Sequence, residues 1–443
     1  MANPSSGKQS WSDRKRFTRI IPMLAVMYLL ALICRNNIGY AFGGMNESFN
    51  LSATITGLVG GIFFIGYLLL QIPGGHFAQK VSAKKIITIC MIAWGLVSIS
   101  MGLIQSGNQL LIMRFLLGVS QSMLYPTALI LIGKWFPQSE RARAIGYWSI
   151  GATASSFIVG PLSGFLVDMF SWKMMFVIQG IPVLIGVFFW IWLVAEKPSE
   201  AKFLSDAEKK YLEEEFAKDA LAQQGSGQDN WKLALKDKFV WILTLVFLLN
   251  NMFNYGLSIW WPTIAKSFTG SSYTIVGMLS TLAPLIALLV MFIVSNHSDK
   301  TGERKWHAAS ILLASGLALL VSALTGASPF ISVAFILLAQ GIWGGFSAVF
   351  WSIPSIIISS AAIGAATGLI NGIGNLGGFV GPYLFGYLID STGSTKVGLF
   401  FIVGVQLLAG ILLATLRNPK LKAAQLEIQQ KNKDRMKNEG VSK

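Results

Sequence analysis

Twelve stretches of this chain are long and apolar enough to cross a bilayer, and that count limits the fold before anything else does. A spanning helix needs about 20 mostly apolar residues, because each residue rises only about 1.5 Å. The stretches are 20–44, 54–78, 84–104, 108–133, 141–167 and 172–195, then 239–266, 274–298, 305–324, 329–358, 361–390 and 395–416. In lipid the backbone must satisfy its own N–H and C=O groups, so such runs form helices. The expectation is an all-α membrane protein with 12 transmembrane helices. Composition agrees: only 12% of residues are charged and 53% are hydrophobic, whereas a soluble protein carries about 25% charged residues.

The net charge of +15 does not point to nucleic acid, because the basic residues flank apolar spans as topogenic charges do. Of the 35 Lys and Arg, five lie within spans or on one side's connections: Arg35, Arg114, Lys173, Lys266 and Lys396. The other 30 lie in the tails, in the even-to-odd connections or at the span ends bordering them. That bias places both termini in the cytoplasm. Residues 1–19 are polar and basic, and the run after them is too long for a signal h-region, so it reads as a retained first span.

The chain divides into a cytoplasmic N-tail (1–19), a first six-helix bundle (20–195), a linker (196–238), a second six-helix bundle (239–416) and a basic cytoplasmic C-tail (417–443). Ser205 with Glu208 opens an amphipathic helix in the linker, running to about Asp219. A Gly/Ser/Gln stretch follows from Gln223 to Asn230. The tail after Pro419 is basic and polar, a frayed helix or disordered. Gly75 to Lys85 matches Ser295 to Lys305 at an offset of 220, and Gly160-Pro161 with Asp168 is echoed by Gly381-Pro382 with Asp390. Two pseudo-symmetric six-span halves with a binding cavity between them are implied.

Arg35 lies deep in the first span. An arginine at mid-membrane depth costs about 2.5–3.5 kcal/mol on insertion scales and normally faces a partner or a wet cavity. No Asp or Glu falls in the middle of any span, and His76, His297 and His307 sit at span ends. The expected counter-ion is the substrate, a small organic anion, since the planar guanidinium can bind both carboxylate oxygens. Arg114 shares a helical face with Gly118, Gln121 and Tyr125 by i, i+4, i+7, i+11 spacing. It either joins the anion site or snorkels to the outer interface. Asn250, Asn251, Asn254 and Tyr255 either line the cavity or tie helices together. Cys34 and Cys90 are far apart and make neither a disulfide framework nor a metal spacing. No intramembrane acid/base pair, metal cluster or nucleotide loop points to an enzyme or a cofactor.

The repeated loop resembles the signature of the major facilitator superfamily, G-x-x-x-D-[RK]-x-G-x-[RK]-[RK]. The second copy keeps Asp299 and Gly302; the first has Gln79 and Ser82 in their places. Gln71-Ile72-Pro73-Gly74-Gly75 and Arg114-Phe115-Leu116-Leu117-Gly118 are similar to the anion:cation symporter branch, which carries sugar acids and aromatic acids. The resemblance covers nearly the whole chain. It implies that Tyr67, Trp351 and Asn371, with Arg35, Arg114 and Gln121, line the substrate site. It also implies that the basic loops, with Lys80, Arg141, Asp299, Lys300 and Arg304, gate the cytoplasmic side or simply set topology. Members of this branch usually have Asp-Arg where this chain has Cys34-Arg35, and often Glu where it has Gln121. Neither residue here can titrate as a carboxylate, which leaves uniport, anion exchange, or coupling to sodium or to protons by another route. Leu32, Ala152 and Phe350 are less polar than a hydroxyl-rich ligand would need, a weak tilt toward an aromatic acid. The expected protein is a monomeric carrier in a bacterial inner membrane, with a membrane sensor or an anion exporter as the alternatives.

Overall fold

A computed structural model describes residues 12–223, 231–325 and 328–441. Residues 224–230 of the expected linker lie outside them, as do the side chains of 72–79, which hold much of the first-half motifs, while the end of the linker forms a short helix, Trp231–Lys236. All twelve expected spans are present: α1 Lys15–Phe49, α2 Ala53–Gln71, α3 Ala83–Met101, α4 Gly107–Trp135, α5 Gln138–Met169, α6 Trp172–Leu193, α7 Lys238–Thr269, α8 Tyr273–Thr301, α9 Lys305–Leu324, α10 Pro329–Ile357, α11 Ile363–Thr392 and α12 Thr395–Thr415. An even number of crossings leaves both termini on one side, the terminal side.

The chain forms two compact units, Met1–Ala41 with Ile65–Ser226, and Phe42–Phe64 with Gly227–Lys443. In the first, α3 packs along α6 and α1 along α5. Gly151 of α5 lies against the Ala25 backbone of α1, where a side chain would clash. Trp94, Trp135, Trp148 and Trp190 are fully buried. In the second unit α9 packs on α12, and α7 on α11 and α12. Its core includes Phe247, Phe346 and Phe350, with Phe350 stacked on both of the others. Lipid tails are as apolar as leucine, so close packing and interhelical hydrogen bonds hold such bundles more than water exclusion does.

Several spans are interrupted. α1 consists of helices Ser12–Asn36 and Ile38–Phe49, α4 of Gly107–Gln121 and Leu124–Trp135, and α11 of Ile363–Gly374 and Gly377–Thr392. α10 breaks into three pieces, Pro329–Trp343, Phe346–Phe350 and Ser352–Ile357. Breaks in membrane helices persist where other groups or a cavity satisfy the freed backbone.

The terminal side is tied by charge. Arg16 is buried and donates to Glu140 at 2.8 Å and to the Trp135 carbonyl at 3.2 Å. The linker helix runs Asp206–Gln223, with Ser205 and Glu208 in the reciprocal capping arrangement the sequence predicts. Asp219 of that helix accepts from the Gln138 N–H, capping the start of α5. The tail after Pro419 forms a helix, Pro419–Val441, the first of the two expected states. Gly302 explains one letter of the loop signature: at φ 70° it ends α8 in the left-handed region, where glycine alone is unstrained. Ser82, in its place in the first half, instead caps α3 from extended backbone.

Candidate functional site

Arg35 sits two residues before the break in α1, where the Tyr40 N–H turns back to the Asn37 carbonyl. Its guanidinium lies 4.7 Å from the Tyr67 ring centre of α2. Its Nε and Nη2 donate to Gln121 Oε1 at 3.4 and 3.3 Å. Gln121 is the last residue before the break in α4, and its Nε2 donates to the Ala31 carbonyl at 3.0 Å. Arg114, one helical repeat earlier, donates from Nη1 and Nη2 to the Arg35 carbonyl, both at 3.3 Å. It is 1% exposed, so it turns into the unit rather than snorkelling outward. The shared face of Arg114 and Gln121 predicted from spacing is thus the face that meets α1. Four candidates form one cluster on α1, α2 and α4.

The cluster brings two guanidinium groups together with neutral acceptors. The cation–π contact and the carboxamide, both uncharged, help hold the Arg35 fork in place. Such a fork, half-buried, can bind both oxygens of a carboxylate in the plane it already occupies.

Cys34 points elsewhere. Adjacent helical residues are separated by about 100°, and the Cys34 thiol donates to the Gln179 carbonyl at 3.7 Å and accepts from Ser98 at 3.8 Å. The Asn37 amide donates to Gln179 Oε1 at 2.6 Å, and Gln179 Nε2 donates to Ser163 at 3.0 Å. This buried network joins α1, α3, α5 and α6. Sequence reasoning missed it, although polar residues at 37, 98, 163 and 179 inside apolar runs were its signal.

Trp351 and Asn371 belong to the other unit. Trp351 sits at a break in α10, edge-on to Phe247 at 5.1 Å and to Phe350 at 5.4 Å. Asn371 accepts from Asn375, at the break in α11, at 3.4 Å. The two readings of the α7 asparagines separate here. Asn250 accepts from Trp343 Nε1 at 2.7 Å, and Asn251 donates to the Gly374 carbonyl at 3.0 Å. Both are buried ties between helices. Phe350 is also fully buried here, stacked between Phe247 and Phe346.

Among the loop residues, Asp299 pairs with Arg304 of its own motif at 2.5 Å. Arg304 also donates to Ser298 at 3.0 Å. The Lys300 carbonyl accepts from Asn432 of the tail helix. Lys80 is exposed, and the Arg141 guanidinium lies against Gly133. The residue missed here is Glu196. Its carboxylate caps α3 through the Ala83 and Lys84 N–H groups, accepts from Ser82, and pairs with Lys134 at 2.5 Å. An apolar cavity of about 460 Å³ on the terminal side, between α1 and α5, is lined by Ile21, Pro22, Ala25 and Tyr147 and holds none of the candidates.

Twelve membrane-crossing helices, several of them broken beside polar or cationic residues, define a multi-pass membrane carrier. The chain belongs to the Major Facilitator Superfamily, which it matches over residues 24–382 and 269–440. It is 35% identical over 424 residues to a protein of Agrobacterium vitis provisionally named a tartrate transporter, covering 93% of this chain and 92% of that one. It is 32% identical over 411 residues to a quinolone resistance transporter of Acinetobacter baumannii, covering 91% and 94%. The crystal structure of a D-xylose–proton symporter superposes with a TM-score of 0.71 at 15% identity, over 91% of this chain and 98% of that one. The protein is therefore a transporter of a small molecule and not an enzyme.

Proposed function

We propose that this transporter moves a small organic carboxylate across a bacterial inner membrane by alternating access, and that Arg35 binds the carboxylate. The observation that carries this reading is the Arg35 fork held between Tyr67 and Gln121 beside a helix break. Arg114, fastened to the Arg35 backbone, adds a second positive charge to the same cluster. Trp351 and Asn371, in the second unit, stay in the proposal as substrate-lining residues through the family resemblance alone. The name of the Agrobacterium relative favours a hydroxylated acid. The apolar positions Leu32, Ala152 and Phe350 are what supports an aromatic acid as the other substrate class.

The Lys and Arg bias assigns the terminal side to the cytoplasm. Coupling through a carboxylate at 34 or 121 is not available to this chain; a proton or sodium ion carried elsewhere, or exchange of one anion for another, remains the coupling route to distinguish. The protein is expected to work as a monomer. Export is the second reading, favoured by the likeness to a quinolone resistance transporter.

Counterflow in proteoliposomes with a panel of hydroxylated and aromatic acids tests the proposal. Saturable exchange of at least one carboxylate, absent for neutral analogues, is the expected result. Binding without any flux would favour a sensor instead.

A further inference from the structure

We propose that Asp390 is the latch that holds shut the side of the transporter opposite its termini. The assignment of that side to the outside rests on the charge-bias reading above. Asp390 lies at the end of α11, and its carboxylate accepts from the Ala53 N–H at 2.9 Å and from the Thr54 N–H at 2.7 Å. The Thr54 hydroxyl donates to it as well, at 2.5 Å. Three bonds thus tie the last turn of α11 to the first turn of α2, elements 336 residues apart in sequence.

Beneath this contact the backbones of α2 and α11 approach closely. Gly57 of α2 lies against the Pro382 carbonyl, and Gly386 of α11 against the Ala53 carbonyl, so neither position admits a side chain. Phe64 of α2 packs on Tyr255 at 4.3 Å. Trp260 of α7 donates to the Pro382 carbonyl and lies 5.4 Å from Phe42 of α1. Opening this side must part α2 from α11, and the polar bonds at the rim are the directional ones that yield.

Asp390 is not needed to make α2 a helix. Ser52 already caps it by accepting from the Ile55 N–H. The same Ser-x-Thr-Ile-x-Gly pattern recurs at 272–277, where Ser272 likewise accepts from the Ile275 N–H. The Asp390 bonds come in addition to that local cap. They carry the charge of a carboxylate at a helix N-terminus, yet the residue stays exposed, so water can replace each bond when the contact opens. Strong enough to bias a conformation and cheap enough to break is what a gate contact requires.

The test uses the full-length protein with Val59→Cys as reporter. Val59 is fully buried in α2, and the native Cys34 and Cys90 are buried. Labelling by a membrane-impermeant maleimide is compared with and without Asp390→Asn, in right-side-out and inside-out vesicles. Asp390→Asn is expected to raise the labelling rate about tenfold in right-side-out vesicles, the shift from losing one charge-assisted hydrogen bond. Thr54→Val, which removes only the hydroxyl bond, is expected to raise it less, and covers the case in which Asp390→Asn does not fold. A rise confined to inside-out vesicles would support the latch and overturn the assigned orientation. Unchanged labelling in both preparations, with amide exchange at Ala53 and Thr54 accelerated, would reduce Asp390 to a local cap and overturn the proposal.

Discussion

The Arg114 guanidinium grips the backbone carbonyl of Arg35 with both terminal nitrogens at 3.3 Å. One arginine thereby fixes the backbone that carries the other, next to the break in α1. Arg114→Lys keeps a charge but loses the paired donors, so carboxylate affinity is expected to fall about tenfold, within the range of one or two charge-assisted hydrogen bonds. Arg114→Ala should lose more. Isothermal titration with the transported acid checks both, and wild-type affinity in Arg114→Ala would show that the grip is irrelevant to binding.

Gln121 sits where its carboxamide can accept from Arg35 and donate to Ala31 at once. Glu at this position would pair with Arg35 and compete with an anionic substrate, while setting an acceptor against the Ala31 carbonyl. Gln121→Glu is expected to weaken carboxylate binding at neutral pH by about tenfold or more, with recovery as the pH is lowered and the new carboxyl is protonated. Affinity measured across pH 5 to 8 gives the answer; a flat profile at wild-type affinity would contradict it.

Asn251 satisfies the Gly374 carbonyl at the break in α11. Asn251→Leu leaves that carbonyl without its donor and is expected to cost about 1–3 kcal/mol. Thermal unfolding in detergent should show a lower midpoint, whereas Asn254→Ala, at a half-buried position, should change it little.

Glu196 links pH to the terminal side. Burial alone would push its carboxyl up, but hydrogen bonds from Lys134, Ser82 and the Lys84 and Ala83 N–H groups outweigh that and hold it below the usual carboxylate range. A carboxyl lowered on folding adds stability above its unfolded value, about 4.3, and loses it as the pH falls through the lower folded value. Wild type should therefore lose stability below about pH 4.3 more steeply than Glu196→Gln. Melting curves from pH 7 to 3.5 make the comparison, and identical slopes would remove Glu196 from the account.

Most of the architecture was legible because membrane burial writes itself into long apolar runs. Each of the twelve spans, the Ser205–Glu208 cap and the shared face of Arg114 and Gln121 followed from period and length. The helix breaks did not. Asn37 and Asn375 are ordinary residues locally, and their side chains meet partners on other helices, Gln179 and Asn251, while Ser122 bonds back to Val119 of its own helix. For the same reason the bonding of Cys34 to Gln179 was hidden, since its neighbour Arg35 drew attention to the wrong face. Asp299 was expected to gate the cytoplasmic side or simply to set topology, and its pairing with Arg304 of its own motif depends on how the end of α8 folds back, which spacing does not show. Glu196 read as one more charge in the linker, because nothing nearby in sequence shows that the start of α3 lies beside it.

The most direct test is carboxylate binding by Arg35 variants. Arg35→Ala is expected to abolish detectable binding and counterflow of the transported acid while leaving the protein folded and monodisperse. Arg35→Lys should retain weak binding, since charge survives but the two-pronged fork does not. Wild-type affinity for the acid in Arg35→Ala would contradict the account at its centre.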